Sequence, residues 1–497
     1  MLYHALNNIV KRFPDRPAVV SGHHSVTYRE LWERSEALAN ELKRRQIAPG
    51  TRVLILAQSS IESVAAWWAV VKCQAICLNL NEKLTPSGIQ YIVSDASPAM
   101  YLCGNAKLLQ QLPPGPDHIC LDEFNWQNPS VRPSNNEDIP YSAEMTVACI
   151  VYTSGSTGHP KGVCLTHKNL LSVGNIAANG FRLTELDRYL MVVPLHYIHG
   201  LMMLMSLQLR GSCLQFMDSF VFPSAVTQTL KQSRITGFSG VPYHFTALME
   251  RGKFLTTDLP DLRWVCVTGG TFTPKRIHQL QDAKPDTEIH IAYGQTECSP
   301  RITMLDPSKI SHKPTSVGSV APGLTIDFLN ENGKSVEPGE TGELVVSGPN
   351  VMHGYWNDPE NTSRVIDEQG RLHTGDLAYI DDEGDVFIRG RVQAMIKSAG
   401  ERIFPEELEA ILSQHSHVES VAVVGVADEL YGQVVEAHVV LNNSENGDIT
   451  IKDVEAFCLE HVPFARAPRR YRLCSDFPLK ANGKIDKQRL VEQSNGL

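Results

Sequence analysis

The feature that most constrains this chain is a run of small and hydroxyl-bearing residues that directly follows a predicted strand. The strand covers 146–152 and the run extends to Gly162. Glycines permit unusual backbone angles, and hydroxyls and a lysine can donate to phosphate oxygens. A polar hairpin would share this composition, but the ending Pro160-Lys161-Gly162 favours a phosphate-binding loop, although not the common ATPase loop. The predicted phosphate-binding residues are Thr153, Ser154, Gly155, Ser156, Thr157, Gly158 and Lys161.

The N-terminal part alternates helical and strand patterns. A helical pattern covers 29–45, a short apolar strand covers 52–56, and a further helix ends near Lys72. Such alternation favours an α/β sheet. The stretch 61–80 is the most apolar of the chain, but Glu62, Lys72 and Gln74 interrupt it. We therefore expect a buried core helix there rather than a membrane span.

The composition changes near the charged turn 381–385, which is followed by a short strand and by Gly390-Arg391. From Pro405 onwards the pattern is that of a compact α+β unit, with its first helix over 405–414. We predict a large domain over residues 1–390 and a small domain over 391–497. The polar segment 128–144 is expected to be a surface connection.

The charge of the chain excludes broad binding to nucleic acid. The 497 residues carry a formal net charge of -10, whereas sequence-independent nucleic-acid binding needs a positive surface. The 11 cysteines show no zinc-ligand spacing and are expected to be free thiols. No signal-peptide pattern opens the chain, and a cytoplasmic location is expected.

Three later segments carry residues suited to nucleotide chemistry. In Tyr293-Gly294-Gln295-Thr296-Glu297 the aromatic ring can stack on adenine, and the carboxylate is a hard oxygen ligand suited to Mg²⁺. The carboxylate of Thr374-Gly375-Asp376 can accept hydrogen bonds from ribose hydroxyls. In Asn482-Gly483-Lys484 a tight turn presents an ammonium group. Each of these segments alone would also fit an ordinary surface turn.

In their order, these segments together with the phosphate-binding run and Gly390-Arg391 resemble the adenylate-forming superfamily. This family contains acyl- and aryl-CoA synthetases, amino-acid adenylation domains and beetle luciferases. The resemblance spans about residues 25–490. It implies an α/β fold, with a large N-terminal domain of layered α/β sheets and a small, mobile C-terminal α+β domain that acts as a lid.

The resemblance also implies an activity, an AMP-forming acid–thiol ligase. ATP and Mg²⁺ would convert a carboxylic acid into an acyl-adenylate, and the acyl group would pass to a thiol, foremost that of CoA. By the same resemblance Lys484, Thr296 and Glu297 are catalytic, and Glu297 holds the metal. The nucleotide-binding residues, besides the phosphate-binding run, are Gly269, Gly270, Tyr293, Gly294, Asp376 and Arg391.

The expected acid lies near 194–200, which resembles a family segment with an aromatic residue followed by histidine. Here the order is His196-Tyr197, so Tyr197 takes the usual gating position. Amino-acid-activating relatives use an aspartate near here, but none lies between Asp187 and Asp218. We therefore expect a neutral-chain or aryl acid of medium size. Its predicted pocket consists of Tyr197, His199, Met203, Phe238, Ser239, Gly240, Gly270 and Cys298.

The sequence leaves more alternatives open for the hinge and for the thiol acceptor than for the nucleotide site. The family usually has Asp or Lys at the hinge, and this chain has Gln393. The loop expected to admit the thiol is Ser398-Ala399-Gly400-Glu401. Three alternatives remain open: a freestanding ligase that loads the phosphopantetheine arm of an acyl-carrier protein, an oxygen-using luciferase relative, and a non-catalytic nucleotide-binding protein.

Overall fold

The structure is a computed structural model that describes residues 1–126, 146–153, 160–217, 219–398, 401–428, 431–442, 450–479 and 485–495. The helices are α1 (Leu2–Arg12), α2 (Tyr28–Arg44), α3 (Ile61–Lys72), α4 (Pro86–Ala96), α5 (Ala106–Leu109), α6 (His167–Gly180), α7 (Ile198–Gln208), α8 (Pro223–Gln232), α9 (Pro242–Arg251), α10 (Pro274–Ala283), α11 (Pro359–Val365), α12 (Pro405–Leu412), α13 (Ile451–His461) and α14 (Lys487–Ser494). The strands are β1 (Pro17–Ser21), β2 (His24–Thr27), β3 (Arg52–Leu56), β4 (Ile76–Leu80), β5 (Met100–Cys103), β6 (Asp117–Cys120), β7 (Val147–Thr153), β8 (Lys161–Thr166), β9 (Arg188–Met191), β10 (Cys213–Phe216), β11 (Gly237–Gly240), β12 (Trp264–Thr268), β13 (Glu288–Tyr293), β14 (Thr303–Met304), β15 (Ser319–Val320), β16 (Thr325–Leu329), β17 (Gly342–Ser347), β18 (Gly354–Tyr355), β19 (Leu372–Ile380), β20 (Val386–Arg391), β21 (Ile396–Ser398), β22 (Glu401–Ile403), β23 (Val418–Asp428), β24 (Gly432–Leu441) and β25 (Arg470–Leu473).

Four sheets organise the described residues. The first has the strand order β15-β14-β13-β12-β11-β9-β10-β1-β2, and the second has the order β18-β8-β7-β4-β3-β5-β6. The inner strands of both are parallel. An antiparallel sheet, β16-β17-β19-β20, follows them along the chain, and β21 to β25 form the fourth sheet. The predicted α/β class is confirmed.

Helix α7 lies in the large hydrophobic core that both parallel sheets share. Its side chains are buried nearly all round, which is typical of a helix that is packed on every side. A Cβ on Gly200 would lie 2.3 Å from the carbonyl oxygen of Pro194, so only glycine allows this close start of the helix. The helix is thereby fixed against the loop that precedes it.

The apolar stretch 61–80 is a core element but not one helix. Helix α3 ends at Lys72, and Ile76 begins strand β4. Buried helices and buried strands of a parallel sheet are both continuously apolar, so hydropathy alone cannot separate them. Lys72 is buried and forms an ion pair with Glu36, which explains how a charged residue is accommodated within this apolar stretch. In the described parts of the chain, no helix is long and apolar enough to cross a bilayer.

The C-terminal part forms its own core. Ile396, Leu408, Val423, Val439 and Val454 belong to one apolar cluster between β21 to β24 and helices α12 and α13. The charged turn 381–385 joins β19 to β20 within one sheet, so it does not separate domains. The division between residues 390 and 391 stays a prediction. The predicted connection over 128–144 lies outside the described residues.

Candidate active site

The candidate site lies at the carboxyl ends of β11, β12 and β13. These strands are parallel neighbours, so their ends meet at one edge of the sheet, where ligands of open α/β sheets bind. Gly269 follows β12 with a φ of +77°, which favours glycine. A Cβ on Gly294 would lie 2.4 Å from the backbone of Pro300. Gly269 and Gly294, two of the predicted nucleotide-site glycines, therefore allow backbone geometries that would strain other residues.

Three of the predicted nucleotide-binding side chains meet at Asp376. The hydroxyl of Tyr293 donates to Asp376 Oδ2 at 2.5 Å, and Arg391 Nε donates to Oδ1 at 2.9 Å. The antiparallel pairing of β19 with β20 sets Asp376 opposite Arg391. Burial, and then the neighbouring carboxylate, raise the pKa of Tyr293 far above its usual range. The phenol therefore remains a proton donor at any working pH.

Glu297 lies in a 3₁₀ turn, Thr296–Cys298, and contacts a residue that the sequence analysis missed. The hydroxyl of Tyr355 donates to Glu297 Oε1 at 2.9 Å. Burial, followed by the charge of Glu297, raises the pKa of Tyr355. Thr296, the other predicted catalytic residue of this turn, is half-buried. Sequence segment 353–358 combines glycine, aromatic and polar residues, and it was the one available signal for Tyr355.

Lys161 lies on the other side of Tyr355. Its Nζ is 5.1 Å from the centroid of the Tyr355 ring and donates to Asn361 Oδ1 at 3.1 Å. A polar cleft of about 250 Å³ opens beside it, lined also by Asp358 and Trp356. One aromatic ring thus separates the predicted phosphate lysine from the predicted metal ligand.

The phosphate-binding run joins two paired strands. Thr153 at the end of β7 pairs with Lys161 at the start of β8. The predicted residues Ser154, Gly155, Ser156, Thr157 and Gly158 lie outside the described residues. Their flanking strands form an antiparallel hairpin, so this run is not followed by a helix as a common ATPase loop would be.

The donor set around Glu297 fits magnesium bound together with ATP. In the ranges that the structure describes, no cluster of three His, Cys, Asp or Glu side chains could hold a metal alone. Among those residues, Glu297 Oε2 has no hydrogen-bond partner, whereas Oε1 accepts from Tyr355. Mg²⁺ typically binds through one or two carboxylates plus phosphates and water, and one free carboxylate oxygen fits that mode.

His199 and Ser239 are the predicted pocket residues that contact each other. His199 Nε2 lies 2.6 Å from Ser239 Oγ, which is also hydrogen-bonded to the hydroxyl of Tyr189. Burial, and then the positive charge of Arg301, lower the pKa of His199 to about 3. The imidazole is therefore neutral, and its polar contacts are those of a neutral ring.

The other predicted pocket residues differ in position. Phe238 packs on Phe245 of α9, on the opposite face of β11 from Ser239. Cys298 packs in the apolar cluster of the antiparallel sheet. Met203 is fully buried in the core around α7, and the ring of Tyr197 lies 4.3 Å from that of His196. A Cβ on the predicted pocket residue Gly240 would contact His244, and a Cβ on Gly270 would contact Pro242.

The hinge and the C-terminal residues are described in part. Gln393 lies in an exposed 3₁₀ turn, Val392–Ala394, directly after β20. Ser398 ends β21 and pairs with Glu401 of β22, while Ala399, Gly400 and Lys484 lie outside the described residues. Leu479 and Ile485, on either side of the Lys484 turn, form an antiparallel bridge.

The chain is similar to known proteins over most of its length. Residues 6–356 match the family model of AMP-binding enzymes, and residues 407–484 match that of the AMP-binding enzyme C-terminal domain. An oxalate–CoA ligase of Arabidopsis thaliana is 31% identical, over 98% of this chain and 97% of the relative. A feruloyl-CoA synthase of an Amycolatopsis species is 30% identical, over 95% of each chain. The structure of o-succinylbenzoate CoA synthetase from Bacillus subtilis, in complex with its acyl-adenylate, superposes with a TM-score of 0.84 at 26% identity, covering 98% of this chain and 97% of the other.

Proposed function

The chain belongs to the AMP-binding enzyme family and is an AMP-forming acid–thiol ligase that uses ATP and Mg²⁺. From this premise we propose that its second-step acceptor is CoA and that it activates a small carboxylic acid other than an α-amino acid. The acceptor is supported by relatives named as CoA ligases or synthases. The exclusion of amino acids is supported by the lack of an aspartate between Asp187 and Asp218. The meeting of Tyr293, Asp376 and Arg391 beside the Glu297–Tyr355–Lys161 group carries the proposal.

Asp376 is proposed to hold the ribose. Both of its oxygens are occupied, one by Tyr293 and one by Arg391. The Arg391 side chain is 62% exposed and can leave at low cost, because an exposed ion pair contributes about 0–1 kcal/mol. Ribose hydroxyls would then donate to Oδ1, while Tyr293 continues to hold Oδ2. The buried carboxylate is thereby oriented before the nucleotide arrives.

The phosphates are proposed to lie between Lys161 and Glu297. Mg²⁺, when bound, neutralises phosphate charge and assists the departure of pyrophosphate. Lys161 donates to the departing phosphates, and Tyr355 orients Glu297 through its hydroxyl. Lys484 is proposed to lie near the carboxylate oxygen as it attacks the α-phosphorus, where an ammonium group lowers the repulsion between two anions.

In the second step the thiolate sulfur bonds to the acyl carbon, and the bond to AMP breaks. The loop 398–401 is proposed to line the path of the thiol. Ser398 is buried and the segment after Arg391 passes through a short 3₁₀ turn, so few residues would have to change conformation in a hinge.

Product analysis with two acceptors tests the proposal. The chain is incubated with ATP, Mg²⁺ and a panel of carboxylic acids, with either CoA or a phosphopantetheinylated carrier protein, and products are identified by mass spectrometry. We expect AMP and an acyl-CoA. Acylation of the carrier protein without acyl-CoA would overturn the assignment of the acceptor.

A variant pair tests the lysine. Lys484→Ala is expected to abolish adenylate formation while ATP binding remains. Lys452→Ala, at an exposed position on α13, is the matched control and should leave both unchanged. Unchanged pyrophosphate release in Lys484→Ala would contradict the role of this lysine.

A further inference from the structure

Arg301 is a fully buried cation without a carboxylate partner among the described residues. Its side chain is 1% exposed. Among the described residues, the hydrogen-bond partners of its terminal nitrogens are sulfur atoms: Cys266 Sγ at 3.9 Å, Met202 Sδ at 3.9 Å and Met304 Sδ at 4.0 Å. Its Nε has no hydrogen-bond partner in the part of the chain that the structure describes. Sulfur is a weak acceptor, so these contacts satisfy the guanidinium poorly.

The burial of this charge is costly. The effective penalty for a buried ion is several kcal/mol unless a counter-charge and hydrogen bonds offset it. The ring of Phe181, 5.3 Å from the guanidinium carbon, offsets a part of it. The charges of Glu288 and Arg301 both affect the pKa of His290. The carboxylate of Glu288, however, forms its ion pair with Arg182 and not with Arg301. A bound anion beside the guanidinium would offset the rest of this penalty.

Arg301 lies next to the pair that marks the proposed acid pocket. Ser239, Cys266 and His290 are in register on β11, β12 and β13, so their side chains share one face of the sheet. His199 of α7 contacts Ser239 in this row, and Arg301 contacts Cys266 beside it. Met202 follows His199 by almost one helical turn and contacts the same guanidinium.

The row lies below the edge where the nucleotide is proposed to bind. Cys266 precedes Gly269 by three residues along β12, a distance of about 10 Å in an extended strand. An acid whose reacting carboxylate lies at this edge, and whose other end extends along this face, would bring that end towards Arg301. His199 is neutral, so it adds no second positive charge and its ring can still hydrogen-bond.

We propose that this ligase acts on dicarboxylic acids, with Arg301 binding the second carboxylate at the inner end of the pocket. The inference rests on the proposed function and deepens it. Guanidinium and carboxylate match as two parallel hydrogen bonds, and the bound anion supplies the missing counter-charge. This inference differs from the expectation of a neutral-chain acid, which rested on the lack of an aspartate between Asp187 and Asp218.

Matched acids test the inference on the unmodified chain. Linear dicarboxylic acids of four to seven carbons are compared with monocarboxylic acids of the same lengths, by pyrophosphate release in the presence of ATP, Mg²⁺ and CoA. We expect kcat/KM to favour the dicarboxylic member by about tenfold or more at the best length. A preference for the monocarboxylic acid at every length would overturn the inference alone. Absence of AMP with every acid would overturn the proposed function as well.

The variant Arg301→Met distinguishes a role of Arg301 in binding the substrate from a role in maintaining the structure. Met has a similar length without the charge, so we expect kcat/KM for the dicarboxylic acid to fall about 100-fold, mainly through KM, with a much smaller change for the matched monocarboxylic acid. Arg301→Lys should retain part of the preference. Arg210→Met is the control, since Arg210 is a half-buried arginine that binds Asn175 and Asn179 away from this row. An equal loss for both acids in Arg301→Met would mean a structural role and would contradict the inference.

Discussion

Asp376 combines burial with two bonded oxygens, so it is oriented before any ligand binds. The side chain is only 3% exposed, and Tyr293 and Arg391 hold one oxygen each. A carboxylate held in this way loses little freedom when ribose hydroxyls replace Arg391. Because ribose binding is proposed to use this carboxylate, we expect it to be weakened when the charge of Asp376 is removed.

Asp376→Asn is expected to raise the KM for ATP about tenfold or more, because an amide presents one acceptor oxygen where the carboxylate presents two. The KM for the acid should change little. ATP-dependent pyrophosphate exchange measures both constants. Asp327→Asn, on β16 of the same sheet, is the control, and an unchanged KM for ATP in Asp376→Asn would refute ribose binding by this residue.

Glu297→Gln is expected to lower the rate of adenylate formation about 100-fold, because the amide can still accept from Tyr355 but is a poor ligand for Mg²⁺. The Mg²⁺ concentration for half-maximal rate should rise. Tyr355→Phe, which keeps the carboxylate and loses only its orienting bond, should have a smaller effect. The exposed Glu340→Gln is the control, and a normal Mg²⁺ dependence in Glu297→Gln would exclude metal binding there.

Motif residues of the site could be predicted because their spacing is local. Tyr293, Glu297, Asp376 and Arg391 stand in short, ordered motifs, whose chemistry can be inferred one motif at a time. Arg301 could not be predicted in this way. Its lack of a carboxylate partner among the described residues follows from the tertiary packing of β12, β14 and α7 around it, which no local pattern encodes.

Strand β20 contains a glycine, Gly390, at a position where a side chain would cause strain. Gly390 has a φ of +155°, and a Cβ there would lie 2.6 Å from Glu406 Oε2, at the start of α12. Beside it, Arg389 forms an ion pair with Glu407 at 2.7 Å. The end of β20 is therefore in close contact with the first turn of α12, the first helix of the C-terminal part.

Gly390→Ala is expected to lower the free energy of unfolding by about 1–3 kcal/mol, from backbone strain alone, with an added loss from the contact with Glu406. Chemical denaturation measures this. Gly384→Ala is the matched control, because Gly384 also has a positive φ, of +82°, but its Cβ would meet no atom within 4 Å. Equal losses in the two variants would exclude a contribution from the Glu406 contact.

Elements were predictable where a local signal was present. The strand over 52–56 and the helix from Pro405 were predicted within a few residues of β3 and α12, because a short apolar run marks the strand and a proline at the first turn marks the helix. The division of 61–80 into α3 and β4 could not be predicted. Both halves are buried on all sides, so neither shows an amphipathic period.

At the scale of the whole molecule, buried neutral histidines make stability depend on pH. His167 is fully buried, and burial lowers its pKa to about 4, while burial also lowers the pKa of the fully buried His290. In the unfolded chain their pKa is about 6.5. Protonation therefore favours unfolding. This stability is complete above pH 6.5 and is lost as the pH falls towards 4.

Acid unfolding measures this dependence. We expect the unfolding free energy to fall between pH 6.5 and 4.5 by about 1.4 kcal/mol per pH unit for each such histidine. His167→Phe should reduce the slope, whereas the exposed His23→Gln should not. A slope in His167→Phe equal to that of the unmodified chain would contradict the buried neutral state of His167.

The proposed chemistry depends centrally on acid-dependent cleavage of ATP to AMP and pyrophosphate. The most direct measurement quantifies AMP and ADP after incubation of the chain with ATP, Mg²⁺, CoA and dicarboxylic acids, beside a reaction without acid. We expect AMP in equal amount to an acyl-CoA, and only when acid is present. Formation of ADP, or AMP at the level of the acid-free reaction, would contradict it.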